Sequence, residues 1–158
     1  MAIEKTLILI KPDGIKRRLT GLAIDRLDNA GFEMTAAKMV SVTEELARRH
    51  YALLEGRGVF KKKEMFEQLI KFLMGDFHGI SNRRVMAMVY QGENAVKGAR
   101  AVVGSTNPEE AAPGTIRGSF GRISSAHGYY ENVIHASGST EEAEREIKIW
   151  FRPEEIIE

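Results

Sequence analysis

The segment Thr6-Leu7-Ile8-Leu9-Ile10-Lys11-Pro12-Asp13-Gly14 determines the expected fold more than any other part of the chain. Its apolar run predicts a buried strand over residues 6–10. Proline, aspartate and glycine follow as a group, and because this is the chemistry of a turn, the strand is expected to end there. Strand-like and helical patterns alternate after this turn, which favours a mixed α/β protein.

The spacing of apolar residues predicts three further strands and five helices. The predicted strands cover residues 32–42, 85–90 and 130–135. The predicted helices cover residues 20–30, 43–54, 64–74, 94–103 and 139–150, and residues 104–122 form a long loop. Thr20, Thr43 and Ser139 are the expected capping residues of three helices.

The order of these elements predicts a ferredoxin-like βαββαβ sandwich, in which a four-stranded antiparallel sheet carries helices on one face. The alternative is a doubly wound parallel sheet, which the small number of regular β–α units disfavours. The sequence has no Gly-Lys dipeptide and no dinucleotide fingerprint. Any nucleotide site would therefore have to work without a P-loop.

Composition describes an ordinary globular protein, and we expect a single domain over residues 1–158. Apolar residues make up 43% and charged residues 28% of the chain, with a net charge of +1. This near balance of bulk charge disfavours a nucleic-acid partner. The absence of cysteine excludes disulfides and thiol nucleophiles. The apolar run at residues 7–10 is far shorter than the roughly 20 residues of a membrane span, so we expect a cytoplasmic protein with no membrane association.

A histidine lies at the end of a short apolar run in Asn132-Val133-Ile134-His135-Ala136-Ser137. Strand alternation would put His135 and Val133 on one face and Ile134 on the other. Imidazole is well suited to accept a phosphoryl group, because one nitrogen attacks while a partner holds the other. Glu146, next to the apolar Ile147, is the candidate partner. A structural histidine and a solvent-facing glutamate are the alternatives.

Several cations are candidate phosphate ligands. Guanidinium groups match phosphate oxygens bidentately, which makes Arg100 and Arg117 candidates, and Thr106 could donate its hydroxyl to the same phosphates. Lys11, directly after the first strand, could contact a sugar hydroxyl or a phosphate, or extend to solvent. Each of these residues would be ordinary on a surface by itself.

Taken together, the motifs resemble the nucleoside diphosphate kinase family over residues 4–156. The resemblance is carried by Lys11-Pro12-Asp13-Gly14, His50-Tyr51, Thr106-Asn107-Pro108, Pro113-Gly114-Thr115-Ile116-Arg117-Gly118, Asn132-Val133-Ile134-His135-Ala136-Ser137 and Glu146-Ile147 with Trp150-Phe151. It implies transfer of the γ-phosphate of a nucleoside triphosphate to a nucleoside diphosphate by a ping-pong mechanism. The phosphohistidine intermediate would form on His135.

The resemblance also assigns roles to the other site residues. Tyr51, Ser137 and Glu146 would position His135. The nucleotide sugar and phosphates would be bound by Lys11, Asn132, Arg100, Thr106 and Arg117. Since Met65 stands where the family commonly has a base-stacking phenylalanine, Phe66 is the candidate for stacking, with Phe60 as the alternative. Stacking accepts every base, so low base selectivity is expected.

Cofactor and assembly follow from the same resemblance. Because the site has few carboxylates, Mg²⁺ is expected to arrive on the nucleotide phosphates and not in a protein cage. The family usually forms tetramers or hexamers built from dimers, so a homo-oligomer is expected.

The chain departs from the family pattern in two further respects. It has His135-Ala136-Ser137-Gly138 where the family often has His-Gly-Ser-Asp, and it has extra sequence near residues 57–63, 77–84 and 121–131. Two other hypotheses remain. One is a nucleotide-binding regulator with an inactive site. The other is a nucleic-acid-binding module, based on Arg117-Gly118-Ser119-Phe120-Gly121.

Overall fold

The computed structural model describes residues 2–124 and 128–158. The strands in this part of the chain are β1 (Ile3–Ile10), β2 (Glu33–Ser41), β3 (Arg84–Glu93), β4 (Arg122–Ile123), β5 (Tyr130–Glu131) and β6 (Ile134–Ala136). The α-helices are α1 (Pro12–Lys16), α2 (Thr20–Asn29), α3 (Glu44–Tyr51), α4 (Lys63–Leu73), α5 (Ala95–Val103), α6 (Ile116–Phe120) and α7 (Thr140–Trp150). Short 3₁₀ turns cover Ala52–Leu54, Gly58–Lys61, Ser81–Arg83 and Pro153–Glu155.

Four strands form an antiparallel sheet in the order β2-β3-β1-β6. Strand β1 pairs with β3 along its whole length, and its last residues pair with β6, where Leu9 lies opposite His135. This order confirms the ferredoxin-like sandwich, with α2 and α5 as its two crossover helices. The doubly wound alternative is wrong, because every strand pair of the sheet is antiparallel.

Helices cover both faces of the sheet. Leu7 and Leu9 of β1 point into a cluster with α3, α4 and α7, whereas Ile8 and Ile10 point into a cluster with α2 and α5. All four side chains are fully buried, and burial of each stabilises the fold by roughly 1.5–3 kcal/mol. The expectation of helices on one face therefore holds for the crossover pair only, since α3, α4 and α7 cover the other face.

Two of the three predicted caps are confirmed. Thr43 Oγ1 accepts a hydrogen bond from the Leu46 N–H, and Ser139 Oγ accepts one from the Glu142 N–H, both over 3.1 Å. The prediction for Thr20 is wrong, because Leu19 occupies the N-cap position and Thr20 is the first helical residue. The predicted loop over 104–122 is interrupted by α6, whose start is capped by Thr115.

The predicted strand over 130–135 is divided in two by a tight turn at Val133. The Ile134 N–H donates to the Asn132 carbonyl over 2.8 Å, and Val133 has φ of 71°, which is a γ-turn in the left-handed region. Val133 therefore packs in the same apolar cluster as Ile134. The expected alternation of Val133 with His135 is wrong, because it assumed a continuous strand.

None of the helices in residues 2–124 and 128–158 is long and apolar enough to cross a membrane.

Candidate active site

The site is centred on a hydrogen bond between His135 on β6 and Glu146 on α7. His135 Nε2 lies 2.8 Å from Glu146 Oε1, and Ser137 Oγ donates to the same oxygen over 2.7 Å. Burial by itself would raise the pKa of Glu146, but the bonds from His135 and Ser137 outweigh it and leave the pKa below its usual value. The ionised carboxylate must accept from Nε2–H, so the lone pair of the imidazole is on Nδ1.

Ser137 links this pair to the centre of the sheet. Its side chain is fully buried, and its Oγ accepts from the Leu7 N–H over 3.1 Å while it donates to Glu146. The carboxylate is thereby fixed to strand β1, and it fixes the histidine in turn.

The turn before His135 is held by the segment that follows β1. Asp13 Oδ2 accepts from the Val133 N–H over 2.8 Å, and the Lys11 N–H donates to the Val133 carbonyl over 2.9 Å. A Cβ at Gly14 would lie 2.6 Å from that carbonyl, so only glycine allows this approach. These contacts offset the cost of a positive φ at a β-branched residue, roughly 1–3 kcal/mol.

Lys11 and Asn132 form a buried pair beside the turn. Lys11 Nζ donates to Asn132 Oδ1 over 2.9 Å, and Asn132 Nδ2 donates to the Thr106 carbonyl over 3.0 Å. Burial and the charge of Arg117 lower the pKa of Lys11 to about 8, with Asp13 as a partial counter-charge. The ammonium has two further N–H groups, which leaves it able to bind an anion.

Arg117 has a structural role that the sequence did not indicate. Its guanidinium donates to the carbonyls of Asn132, Gly104 and Ile134 over 3.3, 3.1 and 2.6 Å. These bonds use three of its five N–H groups, so at most two remain for a phosphate. Burial and the neighbouring Arg100 lower its pKa to about 10.

Arg100 and Thr106 differ from Arg117 because both are exposed to solvent. They line the same cavity as His135, Lys11 and Asn132. The structure therefore brings the candidate phosphate ligands together with the histidine, as the sequence led us to expect.

His50 and Tyr51 form the buried wall behind His135. The Trp150 Nε1–H donates to His50 Nδ1 over 3.0 Å, so a neutral His50 carries its proton on Nε2. Burial and the adjacent His135 hold the pKa of His50 well below its usual range. Burial raises the pKa of Tyr51, which keeps its hydroxyl protonated, and this hydroxyl has no hydrogen-bond partner among the described residues.

His50, His135 and Glu146 lie close enough together to suggest a metal site, with one potential ligand atom of each within 4.8 Å of the others. The hydrogen bonds argue against this use. His50 Nδ1 accepts from Trp150 and its Nε2 is protonated, while Glu146 accepts from both His135 and Ser137. Nε2 of His50 and Nε2 of His135 therefore carry protons, and the ionised Glu146 accepts hydrogen bonds, so these atoms are not free to bind a metal.

The cavity in front of His135 has a volume of about 670 Å³. Phe66 does not line it, since this side chain is 2% exposed and packs in the core on α4. Base stacking on Phe66 is therefore incompatible with this conformation. The alternative residue, Phe60, is half-buried and lines the cavity.

Sequence reasoning missed Asp13 as a functional residue. We interpreted it as part of a turn, yet it is fully buried and its carboxylate holds the Val133 N–H. An acidic residue directly after a buried strand and beside Lys11 was the available signal. The sequence reasoning included His50 in the His50-Tyr51 motif but assigned no role to it.

The ferredoxin-like sheet presents a histidine, held by a carboxylate, to a cavity that lysine and arginine line. This arrangement defines a phosphotransferase site without a P-loop. The family model described as nucleoside diphosphate kinase matches residues 4–156. A nucleoside diphosphate kinase of Methanocaldococcus jannaschii is 42% identical over 155 residues, covering 98% of each chain. The chain belongs to the nucleoside diphosphate kinase family, and it is an enzyme that transfers the γ-phosphate of a nucleoside triphosphate to a nucleoside diphosphate.

Solved structures agree with this assignment. The Borrelia burgdorferi nucleoside diphosphate kinase, solved as a transition-state mimic with vanadate and ADP, matches with a TM-score of 0.84 and 40% identity, over 99% of this chain and 91% of that one. The Halobacterium salinarum enzyme in complex with CDP matches with a TM-score of 0.82 and 34% identity, over 99% of this chain and 93% of that one.

Proposed function

We propose that the reaction is a ping-pong exchange through a phosphohistidine at His135. In the first half, Nδ1 attacks the γ-phosphorus of a nucleoside triphosphate, the bond from that phosphorus to the bridging oxygen breaks, and the diphosphate leaves. In the second half, the terminal phosphate oxygen of another diphosphate attacks the phosphorus and regenerates the histidine. The observation that carries this proposal is the 2.8 Å bond from Nε2 to Glu146, which leaves Nδ1 as the nucleophile.

The positive side chains would bind the phosphates in both halves of the reaction. Arg100 is exposed in the cavity, and among the described residues Lys11 Nζ donates to Asn132 only, which leaves two N–H groups for a phosphate. Thr106 would add a hydroxyl, and Arg117 would contribute mainly through its charge. Phosphoryl transfer depends largely on positioning and electrostatic stabilisation, which this arrangement supplies.

Tyr51 would donate its unpaired hydroxyl to the phosphoryl group while that group is on His135. The hydroxyl is buried, protonated and on the cavity wall. A buried donor without an acceptor is costly, and a phosphoryl oxygen would satisfy it.

Mg²⁺ fits this site as a partner of the nucleotide. Glu146 is already engaged by His135 and Ser137, which leaves Glu142 as the other carboxylate of the described cavity lining. The ion would therefore be bound by phosphate oxygens, where it offsets their negative charge. The residues of this chain would hold the metal–nucleotide complex through Arg100, Lys11 and Thr106.

Base recognition, assembly and location belong to the same proposal. Phe60 would stack on the base and accept different bases, which gives low selectivity.

Strand β2 is at the edge of the sheet and Met39 on it is 52% exposed, which supports a homo-oligomer, a tetramer or hexamer built from dimers. We place the enzyme in the cytoplasm as a single domain, with the cysteine-free sequence as support.

Two-substrate kinetics test the mechanism. Initial rates with ATP and GDP varied together should give parallel lines in a double-reciprocal plot, and His135→Ala should abolish turnover while GDP still binds. Intersecting lines would indicate direct transfer in a ternary complex. A wild-type protein that binds nucleotides without turnover would instead support the hypothesis of a nucleotide-binding regulator with an inactive site.

A further inference from the structure

Segments 77–84 and 121–131, for which the sequence indicated residues beyond the family pattern, pack against each other. Residues 125–127 lie outside the described part of the second segment. The ring of Phe77 stacks on Tyr129 with centroids 5.0 Å apart and planes 20° apart. His78 Nε2 lies 2.8 Å from Glu131 Oε1, and both residues are less than 10% exposed. The two segments therefore form one unit through an aromatic contact and a buried polar contact.

This unit is anchored to the elements that carry the active site. Lys16 at the end of α1 donates to the His78 carbonyl over 2.8 Å. The ring of Phe72 on α4 makes edge contacts with both His78 and Tyr129 at 5.2 Å. Lys11 Nζ lies 5.8 Å from the centre of the same Phe72 ring. The ribbon formed by β4 and β5 is thus fixed relative to the phosphate-binding lysine.

Among the described residues of the anchored ribbon, Tyr130 is an aromatic side chain exposed at the cavity. Tyr130 follows Tyr129 directly, pairs with Ile123 across the ribbon, is 41% exposed and lines the cavity in front of His135. Phe60, from the 3₁₀ turn before α4, lines the same cavity. Stacking of a flat ligand on an exposed aromatic ring at the cavity wall is favourable, because it removes the apolar face of the ring from water.

We propose that Tyr130 is a second base-contacting residue, which stacks on the nucleobase in addition to Phe60 and gives this enzyme a preference for purine over pyrimidine nucleotides. The proposal rests on the proposed function, because it takes the cavity as the nucleotide site. A purine presents a larger face than a pyrimidine, so a second aromatic contact favours it. The preference is added to a site that still accepts every base.

Calorimetric binding tests this directly on the full chain with Mg²⁺ present. The ligands are GDP, CDP and ribose 5′-diphosphate, which has no base. Tyr130→Ala should weaken GDP binding about tenfold and CDP binding about threefold, and should leave ribose 5′-diphosphate binding unchanged. Tyr130→Phe is the matched control, because it keeps the ring, and it should bind all three ligands like the wild type.

Other outcomes would overturn the inference. Wild-type affinity for GDP in Tyr130→Ala would exclude the base contact while leaving the proposed function intact. Equal weakening of GDP and ribose 5′-diphosphate would mean that the ribbon had collapsed and that Tyr130 is only structural. If the wild-type protein bound none of the three ligands, the proposed function would fail first and this inference with it.

Discussion

His135 Nε2 and Glu146 Oε1 are 2.8 Å apart, and the same carboxylate oxygen accepts a hydrogen bond from Ser137. The relationship fixes the tautomer of the imidazole. In the proposed mechanism, the carboxylate also supplies negative charge to offset the positive charge that would develop on the ring during phosphoryl transfer. Since Ser137 also accepts from the Leu7 N–H, His135 is linked through Glu146 and Ser137 to the buried first strand.

Replacing this charge should slow phosphorylation without removing nucleotide binding. Glu146→Gln keeps an oxygen that accepts from Nε2 but loses the charge, at a cost of about 1.5–3 kcal/mol. We expect phosphorylation of His135 to slow by roughly 10–150-fold in rapid-quench measurements, with an unchanged affinity for GDP. A rate equal to that of the wild type would remove the assigned role of Glu146.

Arg117 and Arg100 should differ in what their loss affects. Arg117→Lys keeps the charge, but Nε, Nη1 and Nη2 each contact a different carbonyl, and one ammonium nitrogen cannot replace all three. The free energy of unfolding should therefore fall by roughly 3 kcal/mol, together with activity. Arg100→Ala should lower kcat/KM and leave the midpoint of thermal unfolding within about 2 °C of the wild type. Calorimetry and steady-state kinetics on both variants separate the two effects. Equal stability of both variants would contradict the structural role of Arg117.

The lowered pKa of Lys11 predicts a loss of activity at alkaline pH. Lys11 is protonated below about pH 8 and loses its charge as the pH rises through that value, so kcat/KM should fall there. Bound phosphate stabilises the ammonium, so kcat should fall at higher pH than kcat/KM. Lys11→Arg should move the decline in kcat/KM to higher pH. A decline at the same pH in this variant would assign it to another group.

Two glycine substitutions test the approach of α1 to the active-site turn. In Gly14→Ala the new methyl group would lie 2.6 Å from the Val133 carbonyl, and such overpacking costs roughly 1–3 kcal/mol, or about 3–9 °C in Tm. Phosphorylation of His135 should slow as well. The matched control is Gly21→Ala in α2, where the new group meets nothing within 4 Å and should stabilise the helix by about 0.5–1 kcal/mol. Equal Tm changes in both variants would refute the close approach.

Periodic patterns predicted the frame of the fold well. The run Leu7 to Ile10 became the central strand, and the crossover helices lie where apolar spacing indicated. The helix caps at Thr43 and Ser139 were predictable because a cap depends on residues three positions apart. These features could be predicted from the sequence because each depends on residues that are close together in the chain.

Features set by distant contacts were not predictable in the same way. The turn at Val133 depends on Asp13, 120 residues earlier, which accepts a hydrogen bond from the Val133 N–H. No local sequence pattern could therefore predict this turn. Phe66 and Phe60 both looked suitable for stacking, and only packing decides that Phe66 lies in the core. Arg117 has the chemistry of a phosphate ligand, but three carbonyls brought close by the fold use most of its donors.

The most direct measurement mixes the protein with Mg²⁺ and ATP labelled on the γ-phosphate, and then chases with GDP. Acid-labile, alkali-stable label should appear on the wild-type protein, leave as labelled GTP, and be absent from His135→Ala. Label that forms on His135→Ala, or GTP that forms without any labelled protein, would contradict the phosphohistidine mechanism.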